Sequence, residues 1–134
     1  MENKSRYTNL VARILLGIVF LASGSMKIAA WSAVVGMAGA KGLPFPAFSI
    51  SLAAAIEIAG ALMLFLGYHA RFAAIALFVF LIPTTLLFHN FWAAHGVEQQ
   101  MQLVNFLKNL AIMGGLLLVA GQGSRPISIG PRTT

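Results

Sequence analysis

Six polar side chains stand in or beside runs that are otherwise apolar: Lys27, Glu57, His89, Asn105, Lys108 and Asn109. Glu57 sits near the middle of SLAAAIEIAGALMLFLG. Asn105, Lys108 and Asn109 share MQLVNFLKNLAIMGGLLLVAG, Lys27 nearly closes ARILLGIVFLASGSMKI, and His89 opens HNFW. An ionisable group in the middle of a membrane costs about 2.5–3.5 kcal/mol on insertion scales, so each asks for a partner or a task. A carboxylate at that depth can hold or relay a proton. The cations and amides can donate a hydrogen bond to an oxygen of a ligand, or neutralise the carboxylate.

Spacing groups them further. Gln102, Asn105, Lys108 and Asn109 fall within one sector of a helix, and Glu57 has Ala53, Ala54, Gly60 and Ala61 around it, a small-residue face that lets a second helix approach. The expected pairing is therefore Lys108 with Glu57, and Arg13 is the competing counter-charge. Arg13, Gly17, Phe20, Gly24 and Lys27 recur at helical spacing along one face of the first run. Each residue also has a structural reading: a protonated Glu57 as helix glue, cations snorkelling to an interface, and His89 with Thr85 as interfacial hydrogen bonders.

Other chemistries find no residues. There is no cysteine, so no dithiol relay, disulfide or thiolate metal site forms in this chain, and no aspartate for a Ser-His-Asp set. His69, His89 and His95 do not have metal-ligand spacing, and no nucleotide-binding glycine pattern occurs. No metal site is expected.

Positioning such residues falls to membrane helices. Of 134 residues 59% are hydrophobic and 9% charged. A soluble domain has about 25% charged residues. The net charge of +6 is spread along the chain, mostly at the ends of apolar runs, which is a topogenic pattern and not a nucleic-acid footprint. Apolar windows predict spans at about 10–28, 48–66, 72–88 and 101–120 in one domain covering 1–134, an all-α four-helix bundle. A cleaved signal peptide is not favoured for the first span, since it is long and three more follow.

Gly67 to Ala70 reads as a tight turn. Trp31 to Pro46 is too short to span, and its two prolines resist helix continuation, so it is expected as an interfacial or re-entrant segment. Lys4, Arg6, Arg13, Arg71, Arg125 and Arg132 gather on the side of the termini, against Lys27 and Lys41 opposite. That asymmetry puts both termini in the cytoplasm.

Taken in order, ARILLGIVFLASGSMKI, KGLPFP, AAIEIAGALMLFLGYHAR, LLFHNFW and NFLKNLAIMGGLLLVAG resemble the DoxX family of small four-helix membrane proteins, over about Val11 to Ala120. Lys27, Glu57, His89 and the Lys108-Asn109 pair match its recognisable polar positions. The resemblance implies a bacterial inner-membrane protein. Some relatives are membrane subunits of oxidoreductase assemblies, including thiosulfate:quinone oxidoreductase and an antioxidant complex with superoxide dismutase and a sulfurtransferase. The shape is also similar to quinone-reactive thiol oxidoreductases, whose cysteines this chain lacks.

Three functions follow as alternatives. The first is a membrane subunit of a redox assembly that holds a quinone. Lys27, His89, Lys108 or Asn109 would then meet a quinone oxygen, and Glu57 would handle a proton. The second is a non-catalytic scaffold or accessory subunit, bound to another membrane protein or to copies of itself. The third is a small transporter or proton pathway. In none of them is the chain expected to be an enzyme by itself.

Overall fold

A computed structural model describes residues 2–122. Five α-helices follow in order: α1 (Glu2–Ala29), α2 (Trp31–Ala40), α3 (Pro46–Leu66), α4 (Ala70–Phe88) and α5 (Gly96–Gln122), with a single 3-10 turn at Phe91–Ala93 before α5. Four of them, all but α2, are long and apolar enough to cross a membrane. The chain is an all-α membrane bundle. Both α1 and α5 start before their apolar windows, at Glu2 and Gly96. A helix satisfies its own backbone, so its polar first turns can run on into the headgroup layer.

Local sequence sets the breaks. Gly67 ends α3 in the left-handed region (φ 69°), and Tyr68 N–H returns to Met63 O at 3.0 Å, which closes the helix end. His69 is also left-handed (φ 44°) and starts α4. Between α2 and α3, Pro46 enters at the first turn of α3, where a missing N–H does no harm. Trp31–Ala40 is a ten-residue helix whose Ala38 is wholly buried.

The spanning helices form a ring in which each neighbour runs antiparallel. Gly17 of α1 lies against Phe65 of α3, and Gly24 against Ala54, Glu57 and Ile58; Gly60 of α3 meets Leu77 of α4. Asn109 of α5 bonds Thr85 of α4, and Gly115 of α5 meets Leu16 of α1. Leu64, Leu77 and Leu116 are wholly buried at the centre. Large apolar side chains such as Leu15, Phe72 and Leu118 point outward, as lipid requires.

Arg13 differs from expectation. It does not snorkel but is fully buried, donating from Nε to Asn9 Oδ1 (3.0 Å) and from Nη1 to Leu64 O (3.1 Å). Asn9 in turn donates to Gln122 Oε1 at 3.1 Å, and Arg71 Nε donates to Ala120 O at 2.9 Å. Leu64 and Ala120 lie at helix C-termini, where carbonyls lack intrahelical donors and the dipole favours a cation. The arginines therefore lock the end of the bundle where both ends of the described chain and the α3–α4 turn meet. Arg125 and Arg132 lie outside the described residues.

Candidate functional site

The site begins at a close helix contact. A Cβ at Gly24 would stand 2.8 Å from Ile58 Cγ1 and 3.3 Å from Glu57 Cβ, so the glycine is what lets α1 reach α3 here. One turn later Lys27 meets the carboxylate: Nζ lies 2.6 Å from Glu57 Oε1 and donates to Ser23 Oγ at 2.9 Å. The Glu57 side chain is 2% exposed and that of Lys27 is 17% exposed, so the ammonium is the open face of the pair. An ammonium has three protons. Among the described residues, two are directed at Ser23 and Glu57. Among the described residues, Glu57 Oε2 is buried without a hydrogen-bond partner.

This corrects the expected pairing. The partner of Glu57 is Lys27, neither Lys108 nor Arg13. Lys108 is exposed, whereas the next residue, Asn109, turns inward to donate to Thr85 Oγ1 at 3.0 Å. Successive residues of a helix differ by about 100° around its axis, which is enough to turn one inward and its neighbour outward. Arg13 is held about two turns away along α3, at the Leu64 carbonyl.

Beside the ion pair lies a cavity of about 750 Å³, walled by all five helices. Phe20, Met26, Met37, Ile50, Phe80 and Leu87 make up much of the apolar wall, with Ser23, Lys27, Glu57, Thr84, His89 and Asn109 as polar points. His89 Nδ1 is 2.8 Å from Gln102 Oε1. Next to it, Asn90 Oδ1 accepts from Lys41 Nζ at 3.0 Å, tying the α2–α3 turn to the end of α4.

Of the six residues singled out by sequence, Lys27, Glu57, His89 and Asn109 line this one cavity. Asn105 is half-buried and Lys108 exposed, and neither lines it. Ser23 and Thr84 join the wall without having been singled out, and Asn9 and Gln122 complete the arginine cluster at the other end. Ser23 was findable, since it precedes Lys27 by four residues on one helical face. Chemically, the arrangement offers an ammonium donor, a buried carboxylate and an imidazole around an apolar space. Among the described residues no cluster of His, Cys, Asp and Glu could hold a metal ion.

The DoxX family model matches residues 8–90. Inner membrane protein YphA of Escherichia coli strain K12 is 28% identical over 123 residues, covering 92% of this chain and 88% of that protein. Inner membrane protein YqjF of the same strain is 36% identical over 124 residues, covering 90% and 87%. ER-derived vesicles protein ERV29 of Saccharomyces cerevisiae is 31% identical over 90 residues, 65% of this chain and 29% of that protein. No solved structure matches the chain.

Proposed function

The chain belongs to the DoxX family, and we propose that it is an inner-membrane, quinone-holding subunit of a redox assembly, with the cavity beside Lys27 and Glu57 as the binding site. The observation that carries this reading is the cavity itself: about 750 Å³, chiefly apolar, with an ammonium at its wall that has a proton to spare. Ligand sites of about 300–1,000 Å³ typically combine an apolar lining with a few polar groups that fix orientation. A quinone fits that description, with a flat apolar ring and carbonyl oxygens that accept hydrogen bonds. Lys27 would donate to one oxygen, and Asn109 and His89 stand on the α4–α5 side for the other end of the ring.

A bound quinone supplies two-electron, two-proton chemistry. Glu57, behind Lys27, balances the ammonium and offers a buried oxygen where a proton can rest. Having no cysteine, the chain has no thiol with which to pass electrons to the ring, so a partner subunit supplies them. The names of YphA and YqjF support the inner membrane as the location. A second reading, an accessory subunit without a ligand, is favoured by the exposure of Lys108 on α5.

Organic extraction of protein purified in mild detergent tests the first reading. Wild type should yield quinone close to one per chain, and Lys27→Met should yield much less. If wild type carries no quinone and takes up none when it is added, the reading fails.

A further inference from the structure

We propose that the outward face of α5 around Lys108 docks a transmembrane helix of a different protein, one that carries an aspartate or glutamate at the depth of Lys108. Lys108 lies about 10 Å inside the apolar window of α5, counted from Met101 at 1.5 Å per residue. Its side chain is exposed, flanked by Val104 and Leu107, which are themselves about half exposed, and among the described residues it makes no hydrogen bond or ion pair. A cation facing hydrocarbon at that depth is costly unless a counter-charge meets it.

The chain itself cannot supply that counter-charge. Its three acidic side chains are Glu2, Glu57 and Glu98. Glu57 is buried and held by Lys27. Glu98 lies ten residues earlier on α5, about 15 Å away along the axis. Glu2 opens α1, whose N-terminal end packs beside Gln122 at the far end of α5. A second copy inserted in the same direction carries its acids at these same depths. It would meet Lys108 with apolar side chains or with its own Lys108. The complement is therefore a carboxylate from a different chain.

The same helix is prepared for close approach. Of α5's apolar window 11% is buried, against 22% to 33% for the other three spanning helices. A Cβ added at Gly114 would meet nothing within 4 Å, and Gly114 and Ala111 are exposed one to two turns beyond Lys108. Small residues let a second helix come near enough for an ion pair to form within the bilayer. The inference does not depend on whether the cavity holds a quinone.

The test uses the full chain in its native host. A photo-crosslinking residue at Leu107 should link to one other membrane protein with an acidic residue inside a span. Lys108→Met should lower recovery of that protein after mild solubilisation roughly 3- to 15-fold, the range for polar contacts between membrane helices. Lys108→Glu should lower it further, and reversing the partner's carboxylate to lysine should restore it. Quinone content should not change in Lys108→Met, which separates loss of docking from loss of the cavity. Crosslinks confined to lipid, meaning the lysine snorkels to an anionic headgroup, would overturn the proposal. So would crosslinks confined to a second copy, or a partner whose recovery neither substitution alters.

Discussion

Lys27 and Glu57 are each other's means of staying charged inside the bundle, so taking away one is worse than taking away both. Removing one partner of a buried pair strands the other charge without its counter-ion, which costs about 3–5 kcal/mol in soluble proteins. Lys27→Met and Glu57→Gln should each lower the detergent unfolding temperature, and the double variant should fall short of the sum by a coupling of about 0.5–3 kcal/mol. Lys108→Met combined with Glu57→Gln should be additive, because Lys108 makes no contact with the carboxylate. Thermal unfolding of these variants and of Lys108→Met alone, against wild type, decides between the two pairings. Sequence identified Glu57 as a residue in need of a cation and gave the depth of each candidate. It did not give the rotation of α5, which turns Asn109 inward and Lys108 outward.

Helix packing turns on where a glycine is pressed and where it is not. Gly24→Ala sets a methyl group against Ile58 and the Ala54 carbonyl, the latter backbone that cannot swing aside. It should destabilise the bundle by about 1–3 kcal/mol, as overpacking does, and push Lys27 away from Glu57. Gly114→Ala, with open space around it, should stay within about 0.5 kcal/mol of wild type. Melting curves of the two variants side by side test this contrast, and equal losses would contradict it.

The spans themselves were legible, because apolar windows of that length have few other uses. Their ends were not: α1 and α5 continue through Glu2 to Asn9 and Gly96 to Gln100, where nothing in the apolar pattern calls for a helix. The common face of Arg13, Gly17, Gly24 and Lys27 was also visible. That its two cations go to opposite fates, one to the Leu64 carbonyl and one to Glu57, depends on antiparallel packing against α3, which no single run reveals.

The ring as a whole has two unlike ends. At one, the α3–α4 turn and both ends of the described chain come together, and Lys4, Arg6, Arg13 and Arg71 accompany them. At the other lie Lys41, Asn90 and the turn that leads into α5, with the cavity beneath. Cationic flanks stay on the cytoplasmic side during insertion, so the arginine end should face the cytoplasm and the His89 end the opposite compartment. Since the chain has no cysteine, single introduced ones report without background. In intact cells an impermeant thiol reagent should modify Ala93→Cys and leave Ser5→Cys untouched until the membrane is opened. The reverse pattern would invert the bundle. It would also move the electron donor that the quinone reading requires, because the end of the cavity lined by His89 would then open toward cytoplasmic partners.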